Sequence, residues 1–440
     1  LLDNQTGNNN CAFGYAALAN STVNNNTAFG ATALLTNTTG ASNVGLGLNA
    51  LRLNTTGGLN TAVGDSALYS NTTASNNVAV GYQALLDNTI GVGNTAIGAI
   101  ALWNSTTASS NTAVGSFTLI DNTTGSSNTA VGGQALNNNT TASSNVAVGY
   151  QSLYSNTTAS NNTAIGREAL FFNTTASNNV AVGYQALYTN TTGTRNTAIG
   201  GNVLDANTTG AFLTAVGWGA LGANITGASN SAFGDASLVN NTSGSENTAV
   251  GQGALYSNTT ANYNTALGRQ ALFDNTTGAT NTAIGRDALR NNTTASQNTA
   301  AGYQAAYSNT TGSSIAALGY QSLYSNTDGL RNNAFGQASL YSNTSGDDNT
   351  SLGHAALYSN TTASNNTAVG SNALRLNTTG AANVALGREA LYSNTTASNN
   401  TAVGYQAGYT TNGDNGTFVG YLAGRNNTAN NTVFIGYQTG

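Results

Sequence analysis

Asn77-Val78-Ala79-Val80-Gly81-Tyr82-Gln83-Ala84-Leu85-Leu86-Asp87-Asn88 recurs with small changes along almost the whole chain. Its glycine returns at Gly30, Gly47, Gly64, Gly81, Gly98 and Gly115, and onward to Gly404, always at the same 17-residue step. Only the ends deviate: Gly14 precedes Gly30 by one position fewer, and Gly404, Gly420 and Gly436 follow one another at the same shortened step. A fixed period of this length marks a repeat architecture. We therefore read residues 1–440 as one continuous array without a linker, with variant terminal coils at 1–30 and 405–440.

Positions are counted from the glycine as 0. Ala at −2, Leu at +4 (Leu34, Leu51, Leu68, Leu85, Leu102) and Asn at +7 (Asn37, Asn54, Asn71) hardly change. Positions +1 and +2 vary freely, as in Tyr82-Gln83, Arg167-Glu168 and Asp65-Ser66. The constant set is expected inside and the variable set outside.

Half of a helical hairpin repeat would need strong helix formers, yet Asn, Thr and Gly dominate here. A leucine-rich repeat needs several leucines per unit, and this unit has one. What remains is an all-β fold, a parallel β-solenoid (β-roll or β-helix) of about 26 coils. Each coil contributes a short strand such as Thr61-Ala62-Val63, followed by turns rich in Asn, Thr, Gly and Ser. One Leu and one Val cannot offset the ordering of a whole repeat, so a coil gains stability only by stacking. Alternation along the strand turns Ala62 to one side and Thr61 and Val63 to the other. Both sides are small or apolar, so the outer one calls for a cover, which points to a homo-oligomer.

Composition narrows the function. Charged residues are 6% of the chain, and all ten basic residues are arginines. Nucleic acid is not an expected partner, because no basic groove is there to neutralise phosphates. No apolar run reaches the length of a membrane span, so membrane insertion is not expected. The start Leu1-Leu2-Asp3-Asn4 reads as a mature product or an excised segment. A single cysteine, Cys11, leaves stability to packing and hydrogen bonds.

The string Asn111-Thr112-Ala113-Val114-Gly115, repeated as Asn281-Thr282-Ala283-Ile284-Gly285, resembles the head repeats of trimeric autotransporter adhesins, which form left-handed parallel β-rolls. The fuller unit, Asn366-Thr367-Ala368-Val369-Gly370 with Ala373-Leu374 and Asn377-Thr378-Thr379-Gly380, resembles repeats of phage tail-fibre-type proteins. The resemblance implies a homotrimeric, surface-exposed fibre that carries a binding tip or itself touches ligands.

Asn-Thr-Thr repeats supply candidate N-glycosylation sites at Asn37, Asn54, Asn71, Asn122, Asn139, Asn156, Asn173, Asn190, Asn207, Asn258, Asn275, Asn292, Asn309, Asn360, Asn377 and Asn394. The competing reading is a stacked amide ladder. Asn88-Thr89-Ile90 and Asn326-Thr327-Asp328 keep the Asn while breaking the sequon, which favours the ladder. Tyrosines recur at +1 (Tyr82, Tyr150, Tyr184, Tyr303, Tyr320, Tyr405) as candidate ligand contacts, and at +5 (Tyr69, Tyr154, Tyr188, Tyr256, Tyr324, Tyr358, Tyr392). Their alternative role is to cover the edge of a thin core.

Catalysis finds little support. The one histidine, His354, lies in the variable +1 column, and Asp347-Asp348 has no further acid beside it to complete a cation site. Neither a cofactor nor a metal is expected. The sequence thus points to a non-enzymatic structural fibre or adhesin shaft outside the cell, on a cell surface or on a virion. Its partners would be copies of itself, with cell-surface glycans or matrix as further ligands. The alternatives are a glycosylated single-chain filament joined end to end and, on the strength of the threonine columns, an ice-binding solenoid.

Overall fold

The computed structural model describes residues 7–440. It contains 26 strands of three residues each, from β1 (Cys11–Phe13) through β4 (Thr61–Val63) and β5 (Val78–Val80) to β26 (Val433–Ile435), and no helix among the described residues. Two compact units are formed, one reaching Gly219 and including Asn224–Thr226, the other made of Ala220–Ala223 and Gly227–Gly440. Strands up to β13 (Thr214–Val216) lie in the first, and those from β14 (Ser231–Phe233) onward in the second.

Within each unit successive strands pair in parallel and like on like. Thr61, Ala62 and Val63 oppose Val78, Ala79 and Val80, and Thr350, Ser351 and Leu352 oppose Thr367, Ala368 and Val369. This is the parallel β-solenoid with a 17-residue repeat, one strand per coil.

The strand is short because the glycine ends it. Gly64 has φ +135°, and a Cβ there would collide with the Gly81 carbonyl of the next coil. Beyond it the chain turns through residues in the left-handed region that are not glycine, such as Gln83 (φ 53°), Leu85 (φ 52°) and, one coil earlier, Asn76 (φ 61°). Such a conformation costs an L-residue about 1–2 kcal/mol. The gain is that the peptide groups continue the axial pairing outside the strand. Gln83 N–H donates to the Asp65 carbonyl of the preceding coil (2.9 Å), while Leu85 and Asp87 N–H donate to Ala101 and Trp103 of the following one (2.8 and 3.1 Å). Backbone groups of the turns are thereby satisfied by neighbouring coils.

The interior is narrow, and its columns are set by size. Leu51, Leu68 and Leu85 stand in single file with no exposed surface, beside Ala62, Ala67, Ala79 and Ala84, equally buried. Near the second unit's end the volumes are exchanged: Phe418 fills the Ala column while Gly408 and Gly424 replace the +4 leucine. A Cβ on either glycine would strike the Phe418 ring.

Candidate functional site

All sixteen candidate asparagines, from Asn37 to Asn394, are fully buried. Asn54 Nδ2 donates to Asn37 Oδ1 (2.7 Å) and to the Gly57 carbonyl (2.9 Å), and Asn71 Nδ2 repeats the pattern with Asn54 Oδ1 (2.7 Å) and Ala74 (3.0 Å). A glycan on Nδ2 would replace one of the two hydrogens donated here and require space beside a fully buried side chain. These asparagines thus form the amide ladder that the broken sequons at Asn88 and Asn326 favour. A second ladder, at position −4, is hidden within the strand motif of the sequence. Asn43, Asn60 and Asn77 are buried too, and Asn60 Oδ1 accepts from Asn77 N–H at 3.0 Å.

Of each threonine pair, the first is committed to the stack. Thr55, Thr72 and Thr89 Oγ1 donate to the carbonyl of the next coil's threonine at 2.9 to 3.0 Å. The second, as at Thr56 and Thr73, is exposed. One outward hydroxyl column remains where the ice-binding reading calls for a flat array.

The +1 tyrosines lie at the surface, with Tyr82, Tyr150, Tyr184 and Tyr320 about half exposed. Several stack on their neighbours. Tyr303 and Tyr320 are 5.4 Å apart between ring centroids, Tyr405 stacks on Tyr421, and the guanidiniums of Arg167, Arg286 and Arg388 lie over Tyr184, Tyr303 and Tyr405. The +5 column goes further. Tyr307, Tyr324, Tyr341 and Tyr358 form a continuous stack at 5.2, 5.1 and 5.1 Å. Arg375 continues it, 5.7 Å from the Tyr358 centroid and 5.9 Å from Tyr392. A ring covered on both faces offers a ligand only its edge and hydroxyl.

Position +2 departs from the exposed role expected of it. Glu168 and Asp287 keep only 9% and 5% of their surface, and the column forms amide and carboxylate rungs. Gln151 Nε2 donates to Gln134 Oε1, and Gln185 Nε2 to Glu168 Oε2, both at 2.7 Å. The Gln185 hydrogen bond, together with Arg167, holds the Glu168 carboxyl below its usual range. The recurrence of Gln, Glu and Asp at +2 is the signal that the sequence offers for it.

His354 is exposed. Asp348 makes a two-pronged pair with Arg331 (2.6 and 2.9 Å), which lowers its carboxyl pKa, and Asp347 Oδ1 accepts from Leu330 N–H at 2.7 Å. Both acids thus serve the stack. Among the described residues no three His, Cys, Asp or Glu side chains gather as a metal site would require, and no helix is long and apolar enough to cross a membrane.

The largest continuous feature is the outer side of the strand column. Position −1 presents Val63, Val80, Ile97, Val114, Val131 and Val148 in the first unit, and Leu267, Ile284, Leu318 and Leu352 in the second. Ile97, Ile284 and Leu352 are 40%, 43% and 49% exposed. Neither a known protein family nor a curated protein sequence matches the chain.

Proposed function

We propose that the chain is a non-catalytic fibre shaft or adhesin body, outside the cell or on a virion, built as a homotrimer through the outer side of its strand columns. The supporting observation is the aliphatic column at −1, partly open to solvent along each unit. Parallel sheets are almost always covered on both faces. Here the chain covers one, with its own turns, and leaves a file of Val, Ile, Leu and Phe on the other. A partner for such a file needs apolar side chains at the same axial spacing, and a second copy of this chain has them. The repeat resemblance supplies the number three. The fully buried asparagines weigh against a glycan-sheathed filament.

The test is the mass of the native particle by light scattering. A trimer gives three times 44.1 kDa, and Ile97→Glu, Ile165→Glu and Ile199→Glu together should reduce it to one chain with the β-type circular dichroism kept. A wild-type particle of single-chain mass would overturn the reading.

A further inference from the structure

We propose that the face of the second unit carrying Arg375, Arg388 and Arg425 binds a carboxylated linear polysaccharide laid along the coil axis. This rests on the fibre reading and names what such a fibre touches. The first support is charge. Four successive coils place these three arginines at +1 and +5, with Glu389 the one acid among the +1, +2, +5 and +6 positions. Three cations less one anion leave +2 there, on a chain of net charge −5. Glu389 is already held by Arg388 (3.2 Å) and by Gln406 Nε2 (2.7 Å). Neither Arg375 nor Arg425 has a carboxylate at ion-pair distance among the described residues.

The second support is preorganisation. Arg375 is sandwiched between Tyr358 and Tyr392 and donates from Nη1 to the Tyr392 hydroxyl (3.0 Å), while its buried Nε has no partner. Arg388 lies over Tyr405 and Arg425 over Tyr409. A stacked guanidinium has lost its rotamer freedom beforehand and keeps in-plane N–H donors that match a carboxylate.

The third is shape. Arg375 and Arg425 are three coils apart, about 14 Å at the spacing of paired strands, a length that a few linked sugars cover. Tyr392 stacks on Tyr409 at 5.0 Å and Tyr405 on Tyr421 at 5.3 Å. Ring faces occupied in this way cannot stack nucleic-acid bases. Hydroxyl edges and guanidiniums remain, suited to carboxylates and sugar hydroxyls.

The experiment titrates the full chain with polygalacturonate, with neutral dextran and with a single-stranded oligonucleotide, following heat by calorimetry. Polygalacturonate should bind, weaken as salt rises, and bind at least about tenfold more tightly than the other two. Arg375→Gln with Arg425→Gln should weaken it about tenfold. Arg388→Gln, whose side chain is 64% exposed, should weaken it without any threat to folding. Absence of polygalacturonate binding, equal binding of dextran or oligonucleotide, or unchanged binding by the variants overturns the proposal. Particle mass is read on the same samples: a trimer that fails to bind overturns this proposal alone, and a single chain overturns the fibre reading.

Discussion

Asn60 and Asn71 donate to the same acceptor: their Nδ2 groups reach the Ala74 carbonyl oxygen at 2.9 and 3.0 Å. A carbonyl has two lone pairs, and this buried one uses both. The two asparagine ladders therefore converge in each coil. Each amide also reaches a neighbouring coil, Asn60 through Oδ1 to Asn77 N–H and Asn71 through Nδ2 to Asn54 Oδ1. One pair of side chains thus closes the loop and locks the stack.

Removing one member should be costly. Asn71→Ala deletes both donations and leaves Asn88 Nδ2 without the oxygen it now reaches at 3.1 Å. A loss of about 2–4 kcal/mol is expected in chemical unfolding, against a change within about 0.5 kcal/mol for the neighbouring exposed Thr73→Ala.

Backbone conformation should dominate at the leucine column. Leu85→Ile keeps the volume, and such swaps normally cost less than about 1.5 kcal/mol. With φ at 52°, a β-branched side chain is strained, and the loss should exceed about 2 kcal/mol. Leu86→Ile, outside the left-handed region, is the control in the same thermal melt.

The strand-ending glycine should be equally intolerant. Gly64→Ala brings a methyl against the Gly81 carbonyl at a φ of +135°. Destabilisation of about 3 kcal/mol or more is expected in the same measurement.

Two carboxylates should give opposite pH dependence. Burial raises the Asp205 pKa, so its ionisation lowers stability as pH climbs from the unfolded value of about 3.9 through the folded one. Asp205→Asn should melt higher than wild type at neutral pH, with the difference vanishing in acid. Glu168 is lowered, first by Gln185 and then by Arg167. Its contribution is present above the unfolded value of about 4.3 and is lost as pH falls through the folded one. Glu168→Gln should therefore melt lower than wild type at neutral pH and converge with it in acid. Melting temperatures across the pH range check both signs.

Much of this is legible in the sequence. The spacing of Leu51, Leu68 and Leu85 is enough to stack them, because a repeat that cannot bury its own core must lie on its copies. The same spacing places Tyr307, Tyr324, Tyr341 and Tyr358 over one another, although ring-on-ring stacking needs side-chain directions that spacing alone does not supply. The left-handed turn at Leu85 leaves no trace, since leucine is not a residue that signals a turn. Asn71 is ambiguous for a different reason: the same tripeptide serves a surface sequon and a buried ladder, and only the side-chain hydrogen bonds separate them. Glu168 misleads because its column varies and variation ordinarily accompanies exposure, whereas these rungs exchange one amide or carboxylate for another.

Pulsed electron-spin distances within the first unit test the stack itself most directly. With Cys11→Ser as background and labels on the exposed Thr73 with Thr175, then on Thr73 with Thr209, the pairs are separated by six and eight repeats. In samples diluted with unlabelled chain the stacked coils should give distances of about 29 and about 38 Å, near 4.8 Å per coil. Distances that do not grow with coil number would contradict the stacking.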